Sequence, residues 1–122
     1  MIGYVTIGTN DIDRATAFYD ALFAEMGVGR LMEEGGAVGY GTGMDQPMVL
    51  VMRPYDGNAA TVGNGMMVAL QAGSPEAVAR LHAKALELGA TDEGAPGPRG
   101  EGFHAGYFRD LDGNKLNFVA YG

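Results

Sequence analysis

His104 is the side chain of this sequence best suited to proton transfer. It lies in the segment Gly102–Tyr107, and Arg99 and Glu101 are close to it along the chain. Imidazole is the side chain whose ordinary pKa suits acid and base chemistry near neutral pH. We therefore consider His104 a candidate general acid or base, with Glu101 as a second candidate. A hydrogen-bonded histidine on an edge strand is the structural alternative.

The second histidine and two arginines are also candidates. His82 lies in a predicted helix beside its apolar stripe, where we expect a solvent-facing or half-buried side chain. Arg53 and Arg109 carry forked N–H donors that match a ligand carboxylate. A salt bridge to Asp56 or Asp110 is the structural alternative for these arginines.

The sequence contains a strand–turn–helix pattern twice, and the elements it predicts must position these candidate residues. The segment Gly3–Gly27 is echoed by Met66–Gly89, 63 positions later. Each copy predicts a short strand, a polar turn that caps a helix, and an amphipathic helix that ends at glycine. The sequence therefore predicts two copies of one small unit.

The two copies use the same local signals. Tyr4–Ile7 and Met67–Leu70 are strand-like runs. Thr9–Asp11 supplies short polar side chains that can accept hydrogen bonds from the free amides of a helix start, and Ser74–Pro75 is a capping serine followed by the proline favoured in a first turn. Apolar residues then recur at helical spacing in both copies.

Three further strands are predicted in each half. They are Arg30–Glu34, Ala37–Thr42 and Met48–Met52, the last buried on both faces, and then Ala90–Glu93, Phe103–Arg109 and Lys115–Tyr121. Gly35–Gly36 and Asp110–Asn114 have hairpin composition, and Gly94–Gly102 is predicted to be a loop. The fold class is therefore α+β, with a first βαβββ module over 1–54, a linker over 55–65 and a second module over 66–122.

Composition excludes several classes of function. The chain has 122 residues, 15 acidic against 8 basic side chains and a net charge of −7, with no Lys/Arg cluster. Such a surface repels phosphate backbones and anionic lipid, so nucleic acid is not expected as a partner. No apolar run approaches the roughly 18 residues that suggest a bilayer span, and the absence of cysteine excludes thiol catalysis. We expect a single domain in the cytoplasm, with no membrane partner.

The chain resembles the vicinal oxygen chelate superfamily, which includes glyoxalase I, bleomycin resistance proteins and extradiol dioxygenases. The resemblance rests on Val5–Gly8 through Asp11–Ile12 with Ala17–Tyr19, and on Asp110–Leu116. It implies that the two modules form a cupped eight-stranded mixed sheet around a ligand cavity, with the helices on the outer face. It also implies a homodimer.

The resemblance implies a divalent metal as well, held by histidine and glutamate at the first strand of each unit and near the end of the last strand. Those positions carry Tyr4, Met67 and Asn117 in this chain. An amide oxygen is a weak ligand, and a thioether suits soft copper(I) in preference to Fe, Mn, Ni or Zn. We therefore expect a cup with neither the family metal nor another cofactor.

Strand alternation predicts what would line such a cup. Tyr4 and Thr6 would face inward from the first strand, Met67 from its counterpart, and Asn117 from the last strand. This lining is mostly apolar with a phenol and an amide, which favours a small, mostly apolar ligand. The predicted ligand-binding residues are Tyr4, Thr6, Arg53, Met67, Tyr107, Arg109 and Asn117.

Two classes of function follow from the resemblance. The first is a protein that binds or sequesters a small molecule, as bleomycin resistance proteins do. The alternative is a glyoxalase-related lyase or isomerase, or a dioxygenase-type enzyme; a metal-independent version would use Tyr4, His104 or Glu101 for proton transfer. A subunit whose cup is filled by its own side chains is a third alternative.

Overall fold

The computed structural model describes residues 1–122 and contains the βαβββ order twice. The chain divides into two compact units, Met1–Val62 and Gly63–Gly122, each with one helix and one four-stranded mixed sheet. The predicted α+β fold with two βαβββ modules is confirmed. Neither helix has the length and apolar character needed to cross a membrane.

The first unit consists of a parallel strand pair extended by two antiparallel strands. Its elements are β1 (Tyr4–Gly8), α1 (Ile12–Ala24), β2 (Gly29–Glu34), β3 (Ala37–Gly41) and β4 (Met48–Met52). The strand order is β1-β4-β3-β2, and β1 runs parallel to β4. Gly35 and Gly36, with φ of 61° and 81°, form the predicted tight turn between β2 and β3.

Helix α1 begins at the predicted cap and buries an aromatic face. The Asp11 carboxylate accepts a hydrogen bond from the Arg14 amide at 3.0 Å, which satisfies one of the free amides of the first turn. The rings of Tyr19 and Phe23 lie 6.3 and 5.1 Å from the ring of Tyr40 on β3. These contacts fix α1 on one face of the first sheet.

A polar cluster closes the edge of this core. The Arg30 guanidinium donates to both carboxylate oxygens of Asp20, at 2.8 and 2.7 Å, and the Tyr40 hydroxyl donates to Asp20 at 2.7 Å. The hydrogen bond from Arg30 lowers the pKa of Asp20 below its ordinary value. Burial raises the pKa of Tyr40, and its hydrogen bond to Asp20 adds to the effect.

The second unit repeats this order. Its elements are β5 (Val68–Gln71), α2 (Pro75–Glu87), β6 (Thr91–Pro98), β7 (Phe103–Arg109) and β8 (Lys115–Tyr121), with the strand order β5-β8-β7-β6. Strand β5 is parallel to β8. The Ser74 hydroxyl caps α2 by accepting from the Ala77 amide at 3.2 Å. Strands β7 and β8 have the bounds that the sequence predicts.

Two strand predictions need correction. Strand β6 continues to Pro98, through half of the predicted loop Gly94–Gly102, and its pairing with β7 shifts register on both sides of Gly94. Proline is compatible with this position because β6 is an edge strand. In β4, Leu50 and Val51 are buried but the other residues are half-buried, so the strand is less covered than predicted.

His82 is also more buried than the sequence predicts. Only 4% of the residue is exposed, and its Nε2 atom lies 3.1 Å from a carboxylate oxygen of Asp92 and 3.0 Å from the carbonyl oxygen of Tyr107. A Cβ atom on Gly106 would approach its ring to 3.2 Å. His82 therefore links α2 to β6 and β7, which is a structural role.

Candidate functional site

The second sheet has one face against α2 and one face without a helix. Phe108, Leu116 and Phe118 are fully buried, lie on the same face by register, and belong to strands that contact α2. Because side chains alternate along a strand, the intervening residues lie on the opposite side. We call this the helix-free face; it carries Ala69, Ala105, Tyr107, Arg109, Lys115, Asn117 and Val119.

The turn between β7 and β8 sets the register of this face. A single carboxylate oxygen of Asp110 accepts from the amides of Asp112 and Asn114, at 3.0 and 2.9 Å. Gly113 has a φ of 89°, which a residue with a side chain rarely adopts. The turn brings Tyr107 directly opposite Asn117. The predicted hairpin composition of this segment therefore positions two predicted ligand-binding residues together.

Asn117 is the most unusual residue of the helix-free face. It is 1% exposed, and its Oδ1 atom accepts no hydrogen bond from any protein group. Tyr107 lies beside it on β7 and Ala69 on β5. A buried acceptor without a donor costs about 1–3 kcal/mol, and such groups in native proteins call for an explanation. A ligand that donates to this oxygen would supply one.

Two cations adjoin the ring of Tyr107. The Arg99 guanidinium carbon and the Lys115 Nζ atom each lie 5.5 Å from the ring centroid, within the range of cation–π attraction. Arg99 also donates to the carbonyl oxygens of Ala95 at 2.6 Å and Pro98 at 3.2 Å. Neither cation forms an ion pair with a carboxylate. Neither residue is among the predicted ligand-binding residues: Arg99 was considered only as a neighbour of His104, and Lys115 could have been found because it lies two positions before Asn117 and so shares its face.

The other predicted residues of the second unit are Met67 and Arg109, and Arg109 shares the helix-free face because it pairs with Lys115 across β7 and β8. Met67 is 42% exposed and directly precedes β5. Arg109 donates to a carboxylate oxygen of Glu93 at 2.8 Å and to the carbonyl oxygen of Gly113 at 3.1 Å. Arg109 therefore forms an ion pair, but with Glu93 instead of the expected Asp110.

The candidate proton-transfer residues do not join this site. His104 pairs with Ala120 in the same alternation as Phe108 and Phe118, so it lies on the opposite face from Tyr107 and Asn117. Glu101 is exposed in the turn between β6 and β7. The structure therefore brings neither of them to the buried amide.

In the first unit, Tyr4 and Thr6 share the exposed side of β1, and Tyr4 is 58% exposed. Arg53 follows β4 and lines an open crevice of about 290 Å³. The other lining residues are Thr9, Asn10, Pro54, Gly57, Asn58 and Ala59. Arg53 forms no ion pair with Asp56 or any other carboxylate. Within this unit the crevice lies at the end of β4 away from Tyr4.

The donor atoms available for a metal are few. Nowhere does the structure bring together three histidine, cysteine, aspartate or glutamate side chains in a group that could hold an ion. The three positions that the family resemblance assigns to metal ligands supply a phenol (Tyr4), a thioether (Met67) and an amide (Asn117). This donor set does not fit a divalent metal that prefers imidazole and carboxylate.

The chain is similar to known proteins over almost its whole length. The family model described as Glyoxalase/Bleomycin resistance protein/Dioxygenase superfamily matches residues 1–118. A glyoxalase/bleomycin resistance protein from Albidiferax ferrireducens T118 is 32% identical, with a TM-score of 0.91 and coverage of 100% of this chain and 99% of the other. No curated protein matches the chain.

More distant solved structures share the fold. The hypothetical protein SA1046 from S. aureus is 25% identical, with a TM-score of 0.76 and coverage of 98% of this chain and 92% of the other. A lactoylglutathione lyase from Agrobacterium tumefaciens is 21% identical, with a TM-score of 0.71 and the same two coverages, 98% and 92%. At 21% identity, the lyase is evidence for the fold alone.

Proposed function

Because the chain belongs to the glyoxalase/bleomycin resistance protein/dioxygenase superfamily, we propose that it binds a small, mostly apolar molecule on the helix-free face of its second sheet. The observation that carries this proposal is the buried Oδ1 atom of Asn117, which accepts no hydrogen bond from the protein. A ligand with an N–H or O–H group would satisfy this oxygen. In this proposal the protein binds the small molecule and does not catalyse a reaction of it.

The neighbours of Asn117 support an apolar ligand with a few polar contacts. Ala69, Ala105 and Val119 present small apolar side chains on the same face, and Tyr107 adds an aromatic ring. Sites for small molecules commonly combine such a lining with a few polar groups that fix the orientation of the ligand. Asn117 would provide that orientation, since it lies on the central part of a regular strand.

Binding without a resident metal is part of the same proposal. The phenol, thioether and amide at the three family positions support it, because they are poor ligands for a divalent ion. Elemental analysis of the purified protein tests this part directly. We expect less than one tenth of an equivalent of Fe, Mn, Ni or Zn, and a stoichiometric amount of any of them would overturn it.

Binding of a neutral apolar dye tests the site. N-phenyl-1-naphthylamine carries one N–H donor and fluoresces when it enters an apolar environment. We expect saturable binding by the unmodified protein and roughly tenfold weaker binding by Asn117→Leu, because the amide acceptor contributes about 1–1.5 kcal/mol to a hydrogen bond. Asn64→Leu, in an exposed part of the same unit, is the matched control and should bind the dye normally.

Two outcomes of the dye experiment would contradict the proposed site. If the dye does not bind, or binds Asn117→Leu as tightly as the unmodified protein, the helix-free face is not the site and the proposal is wrong. Thermal melting of each variant establishes that a loss of binding does not reflect a loss of folding.

A further inference from the structure

The charged side chains around Tyr107 indicate the chemical class of the ligand. The chain has a net charge of −7, with 15 acidic side chains to 8 basic ones. Some of its cations pair with carboxylates: Arg30 pairs with Asp20, Arg109 with Glu93 and, more weakly, Lys84 with Glu87. Arg99 and Lys115, like Arg53, form no ion pair, and Arg99 and Lys115 lie at the same aromatic ring. Two uncompensated cations are therefore concentrated next to the buried amide.

From this arrangement we infer that the ligand is an organic anion that also carries an N–H or O–H donor. This inference rests on the proposed function and adds the chemical class of the ligand. The acidic group, a carboxylate or a similar oxyanion, binds Lys115 and Arg99, and the donor binds the Oδ1 atom of Asn117. The apolar part of the molecule packs against Ala69, which is exposed on this face.

The donors needed for an anion are available. A guanidinium has five N–H groups and an ammonium has three. Arg99 uses two of its nitrogens on the carbonyl oxygens of Ala95 and Pro98, which hold the side chain in place. Lys115 donates to no carboxylate, and its only described partner is the ring of Tyr107. Both cations can therefore receive an acidic group without first breaking an ion pair.

The spacing is that of a single small molecule. Tyr107 and Asn117 are direct partners across two antiparallel strands, so their Cβ atoms are about 4.5–5.5 Å apart. The two cations lie at the ring of Tyr107 and the acceptor lies beside it. One compact molecule has the size to contact the amide and the cations together, once it displaces the protein atoms that cover the buried amide oxygen.

Two matched dyes test the inference. 1-Anilinonaphthalene-8-sulfonate has the N–H group and ring system of N-phenyl-1-naphthylamine and adds one sulfonate. We expect the unmodified protein to bind the sulfonate at least tenfold more tightly than the neutral dye. The affinity for the sulfonate should fall as salt is raised from 50 to 500 mM, because ions screen exposed charges, and the affinity for the neutral dye should stay within twofold.

Charge variants locate the effect. Lys115→Gln and Arg99→Gln should each weaken binding of the sulfonate by about tenfold and remove most of its advantage over the neutral dye. Lys84→Gln is the matched control because it removes the same charge from α2, where Lys84 pairs weakly with Glu87 at 3.8 Å. We expect this control to bind both dyes as the unmodified protein does.

The outcomes separate this inference from the proposed function. Equal affinity for the two dyes, or a preference for the sulfonate that survives in Lys115→Gln and Arg99→Gln, would overturn the inference of an anionic ligand. In that case binding of the neutral dye could still depend on Asn117, and the proposed function would stand. Loss of the dependence on Asn117 would overturn both.

Discussion

Tyr107 and Asn117 are direct partners across strands β7 and β8, and both face away from α2. The turn at Asp110 fixes this relationship by accepting two backbone amides with one carboxylate oxygen. The aromatic ring and the buried amide are thus positioned by regular secondary structure, which holds side chains more accurately than a mobile loop does.

Asn117→Leu should stabilise the protein while it weakens ligand binding. Leucine has the same branching at Cγ, and it removes the buried acceptor that no protein group satisfies. Replacement of an unsatisfied polar atom by an apolar group is favourable, so we expect the free energy of unfolding to rise by about 1 kcal/mol. Urea denaturation measures it. A clear destabilisation would show that the amide has a structural role.

Gly94→Ala should disturb the ring of Tyr107. A Cβ atom at this position would lie 3.0 Å from the Tyr107 ring and 3.5 Å from Arg99. We expect a loss of about 1 kcal/mol in stability from overpacking and weaker binding of both dyes. Gly97→Ala is the control, because its Cβ atom would meet only Arg99, at 3.4 Å. Equal effects of the two substitutions would argue against a specific role of the ring.

His82→Ala should destabilise the second unit. The substitution leaves a cavity beneath Gly106 and removes the hydrogen bond that holds the carbonyl group of Tyr107. We expect a loss of about 2–3 kcal/mol in the free energy of unfolding, measured by urea denaturation. Lys84→Ala, two positions along the same helix, should cost less than about 0.5 kcal/mol. A mild effect of His82→Ala would mean that neighbouring side chains fill the space.

The Asp20 carboxylate should make stability dependent on pH in the acid range. Its pKa is lowered in the folded state by Arg30, so its contribution is complete above the ordinary carboxyl pKa of about 3.9. The contribution is lost as the pH falls through the lower pKa of the folded state. Asp20→Asn should cost about 1 kcal/mol at pH 7, a modest value because the side chain is 43% exposed.

Melting temperatures between pH 7 and pH 2 check this expectation. Asp20→Asn should lose less stability on acidification than the unmodified protein does. Glu34→Gln, which removes an exposed carboxylate from the same unit, should leave the pH profile unchanged. A profile of Asp20→Asn that parallels that of the unmodified protein would show that Arg30 does not hold the folded state through this carboxylate.

The elements that depend on local signals could be predicted from the sequence. Asp11 and Ser74 cap the two helices, and Met48–Met52 forms a strand with the predicted bounds. Strand β6 was missed beyond residue 93 because its glycines and prolines resemble a loop. Its extended form depends on pairing with β7, which is distant in sequence.

The candidate site was predicted only in part. Strand alternation predicts an inward-facing Asn117, since a period of two is readable from the sequence, whereas its pairing with Tyr107 is set by the register of β7 and β8. The approach of Arg99 to the ring of Tyr107 follows the irregular pairing of β6 with β7, and no local pattern encodes it. The burial of His82 could have been recognised from its helical spacing with Val78 and Ala85. Binding roles, a homodimer and a cytoplasmic location stay predictions.

Under the proposed function, a ligand that binds at Asn117 should raise the melting temperature of the protein. A compound that binds only the folded state raises the free energy of unfolding. The rise is about 2.7 kcal/mol at a concentration one hundred times the dissociation constant. A library of metabolites could therefore be ranked by the rise in melting temperature each compound causes, with Asn117→Leu run in parallel to reject compounds that bind elsewhere.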